Sequence, residues 1–449
     1  MGCLRARRYE QAVRAAARAL ELRPGDWRLA GIRGDALAAL GRNAEAVSAY
    51  GLALALNPGR PELLVAQGKA LHTLGRYEEA IQNCQSALRV RPDDIVALNR
   101  QGNALLALGR PREAIEFYDR VIAIRPEVAA TKWNKGTAML SLGLSREAWE
   151  LCECRLQASS YVNLPTLGLP VLSGRPPKGA KVVVQWEARI GDVIQMLRYV
   201  PALRDNESWL QIAPPLRKLA ARSFPQARVV GVREAGQATC RIPFTSLPLA
   251  METFSEADIP SAVPYLVPDA AQVERWRRAV GCAGVPRIGV VWRGNPVPAG
   301  RSVALDVLRP IFDAPQATFV TLQKNLGDDE RSMLQGMANV SVLDGELASF
   351  DDTAAAVAGL DLVVTIDTAL AHLAGALGRP TWVLLKVGCV WRWMSSRDDT
   401  PWYPTAQLFR QSATGDWAAV VRRLCKALQA LFPRPPGALR ASRNPSSRS

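Results

Sequence analysis

The run Asp367-Thr-Ala-Leu-Ala-His372-Leu-Ala-Gly-Ala-Leu-Gly-Arg-Pro380 sets a carboxylate, a hydroxyl and an imidazole at the start of a stretch rich in alanine and glycine. It follows the apolar segment Asp361 to Ile366, which reads as a strand, so the run opens a helix directly after a strand. The first backbone N–H groups of such a helix have no partner within it, and the positive end of its dipole faces outward, which suits a diphosphate. Thr368 adds a hydroxyl, and His372, one turn in, can reach the same anion. The dipole alone supplies about 0.3–1 kcal/mol, so several donors must act together. Read by themselves, Asp367 and Thr368 also fit a plain helix cap, and His372 a satisfied core histidine.

Other polar groups fall at equivalent places. Strand candidates Lys181 to Trp186, Arg287 to Trp292, Ala317 to Leu322, Val340 to Leu343, Asp361 to Ile366 and Thr381 to Leu385 alternate with helical stretches such as Val193 to Leu203. After them come Glu187 to Asp192, then Asn295, Gln323 with Lys324, Asp344, and Asp367 with Thr368. Alternation of this kind predicts parallel sheets with helices on both faces, in two Rossmann-like units over 181–284 and 286–432. Open α/β sheets bind ligands beyond the carboxyl ends of their strands, so the cleft between the halves is the expected site. A connector over 156–180 precedes them, marked by Pro165, Pro170, Pro176 and Pro177, and a basic, disordered tail over 433–449 follows.

The front third is periodic. Gly34, Gly68, Gly102 and Gly136 step by 34 residues, as do Gly41, Gly75, Gly109 and Gly143, a series of alanines from Ala12 to Ala148, and Pro24, Pro58, Pro92 and Pro126. The first glycine and the alanine suit a close approach of two helices, the second glycine a corner, and the proline a helix end. In this register the block Trp27 to Arg60, with Gly34, Ala46, Tyr50, Ala53 and Pro58, resembles the tetratricopeptide repeat family. Residues 1–155 are therefore expected to form an α-solenoid, a tetratricopeptide superhelix of about four and a half hairpins whose first is truncated. Its concave wall is expected to present Asp35 beside Gly31, Lys69 beside Val65, Asn99 beside Asn103, and Trp133 beside Thr137, as a peptide groove or an ordinary solvated face.

A second resemblance covers residues 165–430. Arg189-Ile-Gly-Asp-Val193 with Pro201-Ala-Leu-Arg204, Asp367-Thr368, His372-Leu-Ala and Leu377-Gly-Arg-Pro-Thr381 resemble the heptosyltransferase-type glycosyltransferases, glycosyltransferase family 9. Val291-Trp-Arg-Gly-Asn-Pro296, Phe319 to Lys324 and Arg397-Asp-Asp-Thr-Pro-Trp-Tyr-Pro404 are similar to a bacterial branch in which this domain follows tetratricopeptide repeats. The resemblance implies a GT-B fold, the acceptor in the first half, a nucleotide-sugar in the second, and metal-independent inversion with no cofactor. It implies Asp192 as general base, Thr368, the Ala369 backbone and His372 around the diphosphate, and Arg301 or Lys324 against the leaving group. Where that branch commonly has a glutamate, glutamine, glycine, leucine run, this chain has Glu187-Ala-Arg-Ile190 and so carries Arg189 in place of a flexible glycine.

Composition narrows the classes. The net charge of +15 includes +4 from Arg434, Arg440, Arg443 and Arg448; the other +11 is dispersed, with no basic stripe interleaved with aromatics, which argues against a nucleic-acid partner. The chain has no run of 18 apolar residues and no signal-like leader, so a cytoplasmic location without a membrane span is expected. Eight cysteines and two histidines form no zinc spacing, and no metal is expected; Cys84 and Cys152 occupy the repeat slot of Tyr50 and Tyr118. The expected function is sugar transfer from a nucleotide-sugar to a protein, such as a surface or flagellar subunit, captured by the array. The alternatives are a non-catalytic adaptor and a transferase acting on a lipid-linked or oligosaccharide acceptor.

Overall fold

The computed structural model describes residues 2–158, 167–187, 189–280, 284–295, 300–313 and 317–433. Nine helices open it: α1 (Gly2–Leu22), α2 (Trp27–Ala39), α3 (Asn43–Leu56), α4 (Pro61–Thr73), α5 (Tyr77–Val90), α6 (Ile95–Ala107), α7 (Pro111–Ile124), α8 (Ala129–Leu142) and α9 (Arg146–Glu153). The last eight pair as antiparallel hairpins, and α1 is one unbroken helix packed on α2.

The periodic residues explain the stacking. A Cβ on Gly102 would lie 2.6 Å from the ring of Tyr118, and one on Gly34 equally close to Tyr50, so each aromatic fills the space the glycine leaves. Cys84 and Cys152 take that slot in the other repeats, buried as expected, and burial pushes their thiols up to about 11 and about 12. Gly41, Gly75 and Gly109 turn the corners at φ 78°, 80° and 69°, in the left-handed region.

Among the described residues, ten strands form two wholly parallel sheets. β1 (Lys181–Gln185), β2 (Glu207–Gln211), β3 (Arg228–Val230) and β4 (Cys240–Pro243) lie in the order β3-β2-β1-β4. β5 (Arg287–Val291), β6 (Thr318–Thr321), β7 (Val340–Val342), β8 (Leu362–Ile366), β9 (Thr381–Leu385) and β10 (Ala406–Arg410) lie in the order β10-β9-β8-β5-β6-β7. The α/β class follows the sequence alternation, while β2, β3, β4 and β10 lie outside the strands expected from it.

Side-chain alternation along each strand divides the cores. Val183 faces one side of the small sheet with Trp209 and Val230, while Val182 and Val184 face a layer shared with Val363, Val383 and Leu385 of the large sheet. Ile288, Val290, Val364 and Leu384 face the other way and are covered by the C-terminal helix Trp417–Leu431. The shared layer also holds Leu140, Ala148, Trp149 and Cys152 from α8 and α9. The last hairpin is thus part of the α/β core as well as of the solenoid. No described helix is long and apolar enough to cross a membrane.

The loop after β9 makes the second junction. Gly388 sits at φ 63°, and a Cβ there would lie 1.9 Å from the Ala107 carbonyl oxygen at the end of α6. Ser395 donates to the Ser141 carbonyl at 3.0 Å, and Trp391 meets Trp149 edge-on with ring centroids 5.2 Å apart. Gly388→Ala is expected to push loop and solenoid apart at a cost of about 1–3 kcal/mol. Thermal melting and small-angle scattering check this: a lowered Tm with an enlarged radius of gyration is expected, and wild-type values for both would contradict the contact.

Candidate functional site

Thr368 ends the extended segment after β8 and caps the helix Ala369–Ala376, its hydroxyl accepting from the Leu370 N–H at 3.3 Å. The cap reading of Thr368 therefore holds locally, and it leaves the Ala369 N–H without an intrahelical partner. Asp367 is half-buried and accepts from Trp393 Nε1 at 2.9 Å. Burial raises its pKa above the ordinary aspartate value, opposed by that bond and by the charges of Arg301, Arg189 and Lys386.

Arg301 and Thr368 flank Gly294, where a Cβ would lie 3.1 Å from Thr368 Cγ2 and 3.3 Å from Arg301 Nη2. A side chain at Gly294 would crowd both groups, which must then shift by a few tenths of an ångström. Arg301 Nη2 donates to the Asn295 carbonyl at 3.1 Å, and its buried Nε has no partner. Burial lowers its pKa below the usual arginine value, opposed by the Asp367 charge and aided by Arg189. This corner therefore sets the Arg301 and Arg189 charges beside the Asp367 carboxylate at a helix N-terminus.

His372 departs from the expectation that it lines the anion. It is only 4% exposed, its Nδ1 lies 2.9 Å from the Tyr403 hydroxyl, and its ring stacks on Trp393 with centroids 5.2 Å apart. Burial, aided by Arg198, lowers its pKa to about 3, so the ring is neutral and brings no positive charge to a diphosphate. Gln323 departs too: its Oε1 accepts from the N–H groups of Trp292 and Arg293 at 3.3 and 2.9 Å, and its Nε2 donates to the Lys324 carbonyl at 3.1 Å. That amide closes the backbone at two strand ends. The Lys324 side chain is exposed.

Asp192 belongs to the first turn of the helix Ile190–Met196, where its Oδ2 accepts from the Arg189 N–H at 3.2 Å. Its Oδ1 pairs with Arg392 Nη2, from the loop after β9, and both side chains are largely buried, at 16% and 13% exposure. The two helix starts meet here, because a Cβ on Gly191 would lie 2.8 Å from His372 Cδ2 and 3.4 Å from Ala369 Cα. The candidate base and the candidate diphosphate seat are thus adjacent, but the carboxylate already has a cation. Arg392 is a site residue that sequence reasoning missed. Its only signal was its place in the run Trp391-Arg392-Trp393.

The halves are clasped by Arg198, 3% exposed, which donates to the Trp402 carbonyl at 2.6 Å and lies against the rings of Tyr265, Trp402 and Tyr403. Glu187, read from sequence as part of the cleft, instead turns toward the solenoid. Its carboxylate accepts from Arg155 at 2.7 and 3.2 Å and from the Thr245 N–H at 3.0 Å.

On the solenoid, Asp35 accepts from the Tyr50 hydroxyl at 2.7 Å, and Asn103 Oδ1 accepts from Tyr118 at 2.8 Å and Asn134 at 3.0 Å. These two groove residues are partly occupied by the repeat's own aromatics. Lys69 is exposed, Asn99 Oδ1 is buried without a partner, and Trp133 is half-buried against the shared core.

Because His372 binds its proton only near pH 3 in the folded state, against about 6.5 when exposed, its contribution to stability is lost as pH falls through that window. The unfolding free energy of the wild type should drop by about 1.4 kcal/mol per pH unit more steeply than that of His372→Gln between pH 6 and 4. Parallel urea-denaturation curves for the two proteins would contradict the buried neutral ring.

Two tetratricopeptide repeat family models match the chain, over residues 4–61 and 59–127. Protein FlbA of Caulobacter vibrioides is 27% identical over 313 residues, which is 63% of this chain, and the chain spans about half (52%) of that protein's length. Among solved structures, a MamA segment from Desulfovibrio magneticus RS-1 is 21% identical, covering 35% of this chain and 88% of that one, at TM-score 0.31. YrrB, described as a TPR protein with an unusual peptide-binding site, is 21% identical, covering 34% of this chain and 84% of that one, at TM-score 0.30. The N-terminal region of this protein is a tetratricopeptide repeat solenoid, and it is joined to a C-terminal region of parallel α/β sheets.

Proposed function

We propose that this protein transfers a sugar from a nucleotide-sugar to a protein acceptor held by the solenoid, using the cleft of a GT-B-type pair of α/β halves. The observation that carries this reading is the half-buried Arg301 guanidinium, its Nε without a hydrogen-bond partner, beside the Thr368-capped helix start, across Gly294. An anion there relieves a desolvated cation and satisfies the Ala369 N–H at once. Asn295 and Lys324 lie on loops that follow strands of the same sheet.

In this reading Asp192 takes the proton of the acceptor hydroxyl as it acidifies in the transition state. A carboxylate has about four lone-pair sites, so accepting from Arg392 and the Arg189 N–H leaves capacity for one more donor. The Arg392 pair holds the Asp192 carboxylate in place. The same pair favours a second reading, in which the α/β region binds a nucleotide without chemistry and the protein is an adaptor. A lipid-linked or oligosaccharide acceptor would use the same cleft with the solenoid as a spacer.

The test is calorimetric titration of the full chain with nucleoside diphosphates. Binding of at least one is expected, weakened about tenfold or more in Arg301→Gln, since a charged hydrogen bond contributes about 1.5–3 kcal/mol. Asp192→Asn should abolish transfer and leave that affinity nearly unchanged. No binding by any nucleoside diphosphate would contradict the transferase reading. Loss of affinity in Asp192→Asn would give Asp192 a structural role.

A further inference from the structure

We propose that the cavity where the solenoid meets the C-terminal sheet is a binding site for a free, phosphate-sized oxyanion. The cavity has a volume of about 120 Å³ and lies between α6 to α8, represented by Leu106, Gly109 and Ser141, and the sheet residues Lys386, Arg410 and Gln411. Lys386 follows the last residue of β9, and Arg410 ends β10. The cavity therefore sits at the carboxyl ends of two parallel strands, the end at which α/β sheets hold ligands. It is well below the roughly 300–1,000 Å³ of a site for a nucleotide-sized molecule, so it is not the diphosphate seat, from which Trp393 separates it.

Its chemistry is one-sided. Two cations line it and no carboxylate does. Arg410 spends donors on the carbonyls of Arg397 and Trp393 and on Cys389 Sγ, all uncharged acceptors. Burial pushes the Cys389 thiol up, so it stays protonated. Lys386 Nζ lies 3.4 Å from the Tyr77 hydroxyl and 5.3 Å from its ring centroid, again without a formal negative charge. Asp367, whose charge Lys386 senses, is bonded to Trp393 Nε1.

The decisive group is Gln411, 6% exposed. Its Oε1 accepts from the Val387 and Gly415 N–H groups, both at 3.4 Å, which fixes the orientation of the amide. Nε2 is then a buried donor with no partner, a vacancy that costs about 1–3 kcal/mol unless an acceptor fills it. An oxyanion accepts from Gln411 Nε2, from Lys386 and from the remaining Arg410 N–H groups together. Bound there, it ties the corner of the α6–α7 hairpin to the ends of β9 and β10 and stiffens the joint between groove and cleft. This site stands independently of sugar transfer.

The experiment titrates inorganic phosphate into the full chain in a phosphate-free buffer, by calorimetry and by thermal melting. A saturable rise in Tm with a stoichiometric heat is expected, because a ligand that binds only the folded state stabilises it. Gln411→Glu keeps both backbone contacts and replaces the free donor with a negative acceptor; it should weaken phosphate binding at least tenfold. Lys386→Met should do the same, and serves if Gln411→Glu fails to fold. Absence of a saturable response, or a wild-type response in both Gln411→Glu and Lys386→Met, would overturn the proposal.

Discussion

Withdrawing the Arg155 guanidinium from water costs several kcal/mol, and two carboxylates from different parts of the chain offset that cost. Glu153, in the last solenoid helix, lies 2.6 Å away, and Glu187, directly after β1, lies 2.7 Å away with 1% of its side chain exposed. Burial pulls the Arg155 pKa down, and the Glu187 and Glu153 charges more than reverse it, so its net shift is upward. Ser246 completes the cluster, accepting from Arg155 at 2.7 Å and donating to Glu153 at 2.8 Å. One buried charge network thus joins the end of the repeat array to the loop that leads into Asp192.

That joint fixes geometry over distance. The segment 187–192 begins at a carboxylate held by the solenoid and ends at one held by Arg392, whose own loop rests on α6, α8 and Trp149. Trp149 Nε1 also donates to the Thr253 carbonyl at 2.7 Å, so the last hairpin grips the first α/β half as well. A protein bound along the groove would therefore be presented at a set distance from the cleft. A flexible tether between groove and cleft would lower the effective concentration of one at the other.

Periodicity made the solenoid readable, because each repeat must bury the same glycine, alanine and aromatic slots against its neighbour. Strand and helix alternation likewise revealed the α/β class, and the step from β8 to the Thr368-capped helix was visible in Asp367-Thr368. The junction was not legible. Arg155 and Glu187 are separated by a proline-rich connector, and nothing in their spacing announces a contact. His372 and Gln323 carry functional-looking side chains whose roles depend on what closes over them, Tyr403 and Trp393 in one case and two backbone N–H groups in the other. Arg392 lies far from Asp192 in sequence, in a loop without a repeating pattern, so only the fold brings the pair together.

Through Arg155 the solenoid and the first α/β half form one mechanical unit. Hydrogen exchange on Arg155→Met, compared with the wild type, tests it most directly. Protection should fall in parallel across α9, the segment 185–192 and the segment 244–250, although these are distant in sequence. Loss of protection confined to residues near 155, with 185–192 unchanged, would contradict it.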